Sequence, residues 1–122
     1  MANEIQIGVT AQVTNGAFRD VFMPGTLNVN QANIGRGGYV QNVGTSEEDI
    51  VFGDVATNGY CLLQNLSASD YVTYGPKSGG AMIVFGKLKA GEVAVVRVAP
   101  TVVMRAKADT NAVLLDVRLY ED

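Results

Sequence analysis

Apolar residues recur at every second position over long stretches of this chain. Ile5, Ile7, Val9, Ala11 and Val13 alternate with Glu4, Gln6, Thr10, Gln12 and Thr14. That period predicts one half-buried strand over residues 5–13. Asn15-Gly16 is a hairpin-turn signal. Residues 17–23 form a second strand, ended by Pro24-Gly25, and Leu27 and Val29 mark a third. Between residues 31 and 49 the alternation weakens. Gly35-Arg36-Gly37-Gly38 predicts a flexible loop and residues 44–49 a polar, acidic one, around a short strand at 39–43. Ile50-Val51-Phe52 and Val55-Ala56 are short apolar pieces split by Gly53-Asp54. Beyond Asn58-Gly59 the pattern sharpens into strands at 60–66, 71–74, 81–88, 93–98, 102–107 and 112–120. In the last, Val113, Leu115, Val117 and Leu119 share one face.

These are about ten short strands with turns every eight to twelve residues, and no helix of three turns. The expected architecture is all-β: a jelly-roll-like β-sandwich of about 8–10 short antiparallel strands. No repeat or change of composition marks a boundary, so residues 1–122 are expected to form a single domain. Two strands carry apolar residues on both faces. In 81–88, Met82, Val84 and Leu88 oppose Ile83 and Phe85; in 93–98, Val93 and Val95 oppose Ala94, Val96 and Val98. One sandwich core covers one face of each strand, and a chain this short does not fill a third layer. The second face is expected to meet a neighbouring subunit.

Composition supports the strand reading. Val, Ile, Thr, Phe and Tyr make up a third of the chain, and Gly and Asn supply the turns. The net charge of −3 gives no electrostatic footprint for nucleic acid or an anionic membrane. No apolar run reaches the ~18 residues that span a bilayer as a helix. Met1-Ala2-Asn3-Glu4-Ile5 lacks the basic and apolar regions of a signal peptide, so synthesis in a cytoplasm is expected. The absence of histidine removes every imidazole-based acid–base scheme and most metal sites, and a single cysteine forms no intrachain disulfide.

The remaining candidate chemistry reads as structure. Glu47, Glu48 and Asp49 are the one carboxylate cluster. Glycoside hydrolysis needs two acids opposed across a cleft, whereas three adjacent acids in a Gly/Ser/Thr-rich run predict a solvated loop. Cys61, inside Tyr60-Cys61-Leu62-Leu63, has no base beside it and reads as a buried thiol. The Gly35–Gly38 and Ser78–Gly80 runs lack both the spacing and the following helix of a phosphate loop. Arg36 and Lys77 on these runs are candidate partner contacts. Tyr39, Tyr60, Tyr71 and Tyr74 are candidates for an aromatic platform, but Tyr71 and Tyr74 are three apart and face opposite ways on one strand, which favours core or interface packing. Arg97, Arg105 and Arg118 fall on three consecutive strands and are placed to pair with Asp116 if those strands are neighbours; the face they mark is either a solvated outer one or a polar subunit contact. No catalytic, cofactor-binding or metal-ligating residue is assigned, and no enzymatic activity is expected.

Residues 64–75, Gln-Asn-Leu-Ser-Ala-Ser-Asp-Tyr-Val-Thr-Tyr-Gly, precede Lys87-Leu88-Lys89-Ala90-Gly91-Glu92 and the ending Arg105-Ala106-Lys107-Ala108-Asp109 to Tyr120-Glu121-Asp122. With the opening Asn3–Ile7 and the central Gly44–Glu48, this patterning resembles small structural proteins of tailed bacteriophages that decorate or cement a capsid. The resemblance implies a jelly roll or sandwich, a homotrimer, a major capsid protein as partner, and a place on the virion exterior. It carries over no catalytic or docking residues. The main expectation is thus a non-catalytic virion protein that stabilises a capsid shell. The alternative is a phage tail, fibre or baseplate module that binds a host glycan or protein.

Overall fold

The computed structural model describes residues 3–122. The described residues form fourteen antiparallel strands and no helix. The contacts group into two compact units, Met1–Asn33 and Ile34–Asp122.

The first unit is a two-stranded ribbon. Strands β1 (Ile5–Gly8) and β4 (Thr26–Val29) pair, as do β2 (Ala11–Asn15) and β3 (Phe18–Phe22), which are joined by the turn predicted at Asn15-Gly16. The strand predicted over 5–13 is broken at Val9-Thr10. The registers explain the break: Gly8 faces Thr26 and Ala11 faces Phe22, so two residues on one side oppose three, Met23–Gly25, on the other. This is a bulge, placed where Pro24 has no N–H to give the ladder.

The second unit is a jelly roll. Its strands are β5 (Arg36–Gly37), β6 (Val40–Val43), β7 (Glu48–Asp49), β8 (Asn58–Asn65), β9 (Val72–Ser78), β10 (Ala81–Met82), β11 (Gly86–Leu88), β12 (Val93–Arg97), β13 (Met104–Ala108) and β14 (Val113–Glu121). β5 and β6 lie along one edge of β14, and β10 and β11 along one edge of β9, so each couple acts as one interrupted strand. Counted so, eight strands form two sheets. One has the order first, eighth, third, sixth; the other has second, seventh, fourth, fifth. This is the double Greek key of a jelly roll, with every pairing antiparallel.

The core is the single layer between these sheets. From one side Val113, Leu115, Val117 and Leu119 of β14 point in beside Cys61 and Leu63 of β8 and Val43 of β6; Val72, Tyr74, Leu88, Met104 and Ala106 meet them from the other. The face predicted for β14 is the buried one.

The strand predicted over 81–88 is also bulged. Met82 faces Lys77 and Gly86 faces Tyr74, so Ile83–Phe85 oppose Gly75-Pro76. The bulge is held by Ile83 N–H donating to the Pro76 carbonyl at 2.8 Å and Phe85 N–H to the Tyr74 carbonyl at 2.9 Å. Only glycine fits at 75, because a Cβ there would run into the Ile83 carbonyl oxygen. Gly37 is a second close approach. It is buried, and its Cβ would strike the Phe52 carbonyl oxygen, so the loop predicted to be flexible is packed.

Buried polar side chains pin the loops to the sandwich. Asn65, fully buried at the end of β8, donates from Nδ2 to the carbonyls of Asp70 (2.8 Å) and Leu88 (3.0 Å) and accepts from the Ser67 N–H at 2.8 Å. Asn58 at the other end of β8 donates to the carbonyls of Ala99 and Val102, both at 3.1 Å. Replacing Asn65 strands two acceptors and one donor. Asn65→Ala is therefore expected to lower the unfolding free energy by about 3 kcal/mol, while exposed Gln64→Ala stays within ~0.5 kcal/mol of the parent. Urea titration followed by circular dichroism measures both.

Candidate functional site

Each carboxylate of the 47–49 cluster has a structural partner, so the run is not the merely solvated loop that its composition suggests. Glu48 and Asp49 form β7 on the edge of β13. Arg105 of β13 donates from Nη1 to Glu47 Oε1 and from Nε to Asp49 Oδ1, both at 2.8 Å, and Nη1 also reaches the Gly80 carbonyl at 3.0 Å. Glu48 instead accepts from Gln41 Nε2 at 3.0 Å and from the Gly44 N–H at 3.2 Å. Gln41, buried on β6 of the opposite sheet, also donates to the Asp49 carbonyl and accepts from the Val51 N–H. This cluster closes one side of the sandwich. Among the described residues, no group of three or more His, Cys, Asp or Glu is arranged to hold a metal ion.

The three arginines do not share a sheet. β12 and β14 flank β8 in one sheet, and β13 lies in the other. Arg118 pairs with Asp116 of its own strand at 3.5 Å, Arg97 pairs with Asp122 at 3.2 Å, and Arg105 binds Glu47 and Asp49. The expectation that they converge on Asp116 therefore holds for Arg118 alone. The condition for that shared pairing, that the three strands be neighbours, is not met, because β12, β13 and β14 alternate between the two sheets.

Nor do the tyrosines make one platform. Tyr74 is a core residue, its ring edge-on to Phe85 with centroids 6.1 Å apart. Tyr71 faces the other way, as its spacing requires, with Lys87 Nζ 3.9 Å from its ring centroid. Its hydrogen bond to Asp109 raises the Tyr71 hydroxyl pKa and lowers that of the Asp109 carboxyl. Tyr60, in the other sheet, carries the Arg97 guanidinium 4.6 Å from its ring centre. Tyr39 is exposed. Cys61 is buried, and desolvation pushes its thiol up to about 12. Arg36 and Lys77 are exposed and form no ion pair among the described residues.

The surface stands out for its apolar groups. Around the second bulge Ile83, Val84 and Phe85 are all exposed, Phe85 at 70%. Beside Phe85 lies an open concavity of about 350 Å³ lined by Tyr74, Pro76, Val98, Ala99, Val102 and Met104 among others. On β12, Val96 packs against the core while Val93 and Val95 face outward, as the two-sided pattern predicted. In the ribbon, every residue of β2 and β3 is exposed, including Phe18 at 62% and Phe22 at 56%. A second concavity, of about 290 Å³, lies at the ribbon's bulge among Ile7, Val9, Phe22 and Leu27. The two-sided pattern at 81–88 and 93–98 signalled part of this surface. The ribbon was not singled out, because a period-two strand looks the same whether or not something covers it.

Scans against protein-family models, curated proteins and solved structures find no match to the chain.

Two tests follow from the site chemistry. Native Cys61 is expected to resist iodoacetamide at pH 8 and to react at once in urea; fast native labelling would contradict its burial. Glu47 is held below the usual carboxylate range by the Met82 N–H, which donates at 2.9 Å, and then by Arg105. A lowered folded pKa stabilises above the unfolded value and is lost as pH falls through the folded one. Glu47→Gln is therefore expected to flatten the loss of stability between about pH 5 and 3, read from urea midpoints across that range.

Proposed function

We propose that this chain is a non-catalytic structural protein of a virus particle, a capsid cement or decoration protein. It acts as a homotrimer that binds the exterior of a shell of major capsid protein and ties its subunits together. The observation that carries the reading is the exposed apolar surface, at Ile83–Phe85, at Val93 and Val95 and along the ribbon. Adjacent exposed apolar side chains on a small domain, as at Ile83–Phe85, mark a protein contact. Further support comes from the jelly roll, an architecture that viral capsid proteins share with lectins and cupins, and from the resemblance of residues 3–7, 44–48 and 64–75 to phage decoration proteins. The carboxylates nearest to a catalytic arrangement, at 47–49, are taken up by Arg105, Gln41 and backbone N–H groups.

Binding of this kind needs no strong single contact, since modest interfaces repeated by symmetry sum over a shell. The test uses shells of the major capsid protein encoded in the same genome, incubated with the purified chain. The chain is expected to co-sediment with them, to appear as threefold clusters on the outer surface by cryo-electron microscopy, and to raise the temperature at which shells rupture. Failure to bind shells at micromolar concentration, or density for the chain only on tails, overturns the reading.

A further inference from the structure

The chain contains two Asn-Gly pairs, Asn15-Gly16 and Asn58-Gly59. An asparagine before a glycine can lose its side-chain amide without an enzyme, because the glycine nitrogen attacks the asparagine Cγ and no Cβ on the glycine hinders the approach. The reaction needs a backbone that can turn that nitrogen onto Cγ. The sequence treats the two pairs alike, and the structure separates them.

Asn15-Gly16 lies at the tip of the ribbon. Asn15 is exposed and pairs with Phe18, so Gly16 and Ala17 make a two-residue turn, with Gly16 at φ 58°. A Cβ on Gly16 would meet nothing within 4 Å. Neither the Asn15 side chain nor the Gly16 N–H makes a hydrogen bond among the described residues. Every residue of β2 and β3 is exposed, and two strands alone are marginal in water, so opening the tip to rotate Asn15 costs little.

Asn58-Gly59 is held on all sides. Asn58 is buried, and its Nδ2 is engaged by the carbonyls of Ala99 and Val102, both at 3.1 Å. The Gly59 carbonyl accepts the Val98 N–H at 2.9 Å, and the Tyr120 carbonyl oxygen crowds the glycine's other side. β8 itself is paired with β12 and β14. Bringing the Gly59 nitrogen to the Asn58 Cγ requires opening the central sheet.

We propose that Asn15 is a self-modification site of the ribbon tip. The Gly16 nitrogen bonds to Asn15 Cγ, the Cγ–Nδ2 bond breaks, and Nδ2 leaves as ammonia with the proton from the Gly16 nitrogen. Water then opens the succinimide ring. Addition at Cγ breaks the new bond and leaves aspartate. Addition at the Asn15 main-chain carbonyl carbon breaks that carbon's bond to the Gly16 nitrogen and leaves isoaspartate, whose main chain runs through Cγ and is one carbon longer. Either product adds a negative charge to the net −3 of the chain, beside Arg19 and Asp20. Isoaspartate also lengthens the link between Asn15 and Phe18, which a two-residue turn does not accommodate. The inference is independent of the proposed function.

The test holds the purified full chain in mildly alkaline buffer, with and without urea, and follows it by intact mass and by peptide mapping that separates isoaspartate from aspartate. Without urea the chain is expected to gain about 1 Da, an NH2 exchanged for an OH. The change should fall at position 15 at least about 100-fold faster than at position 58, and the product should be labelled by an isoaspartate methyltransferase. In urea both pairs are open chain, and their rates should agree within about threefold. Asn15→Gln is expected to slow the mass gain in buffer by at least about tenfold, because its longer side chain must close a larger ring. Position 58 reacting as fast as position 15 without urea, an Asn15 that converts only in urea, or an undiminished mass gain in Asn15→Gln overturns the assignment.

Discussion

A jelly roll of this size has one apolar layer, and a sheet has two faces. Everything else in the second unit follows from which residues win a place in that layer. β14 contributes Val113, Leu115, Val117 and Leu119, all inaccessible to solvent, and β8 supplies Cys61 and Leu63 beside them. These two strands form the centre of their sheet, each paired on both sides. With the layer filled by alternate residues, the apolar residues between them have no interior left. Val93, Val95 and Leu114 are outside for that reason, and no rearrangement of one chain brings them in without turning out the residues that replace them.

The sandwich is closed by polar groups rather than by more hydrocarbon. Asn65 and Asn58, at opposite ends of β8, bind the carbonyls of loops that would otherwise lie loose over the core. Gln41 and Glu48 join the edges of the two sheets. Among the described residues, no buried side-chain nitrogen or oxygen lacks a hydrogen-bond partner. Networks of this kind specify one arrangement of the loops, because a shifted loop would leave an amide stranded in apolar surroundings. Arg105 does similar work nearer the surface, with its side chain 18% exposed and its guanidinium shared by two acids and a carbonyl. Its worth lies in fixed geometry more than in charge, since exposed ion pairs contribute little alone.

Much of this was legible in the chain. Period-two alternation located most strands of the second unit to within two or three residues, and it chose the buried face of β14 correctly. Turn chemistry placed the hairpin at Asn15-Gly16. The illegible features were non-local. A bulge is a mismatch between two strands, so neither 5–13 nor 81–88 shows in its own residues that it will break. The partners of Arg105 are more than fifty positions away in sequence, at Glu47 and Asp49, and no local pattern connects them. Gly37 looked like a flexible loop because sequence cannot show the Phe52 carbonyl against it. Strand periodicity reports faces, and it does not report which strands group into a compact unit, such as Met1–Asn33 and Ile34–Asp122.

The two bulges shape the apolar surface of the chain. Each sets three residues against two, and an extra residue bends a strand and turns side chains out of the ladder. In both, apolar groups lie on the surface: Val9 and Met23 in the ribbon, and Ile83, Val84 and Phe85 in the jelly roll. An exposed apolar strand edge invites uncontrolled pairing, and proteins commonly blunt it with a bulge or a charge. Here each bulge has a charged residue nearby on one of its strands, Asp20 in the first and Lys77 in the second. A charge within an apolar patch costs little while it faces water and a great deal when buried without a counterpart. Such a patch rejects most apolar surfaces and accepts one that carries the opposite charge in register. What the two bulges leave at the surface is therefore apolar area with a charged residue on a neighbouring strand position.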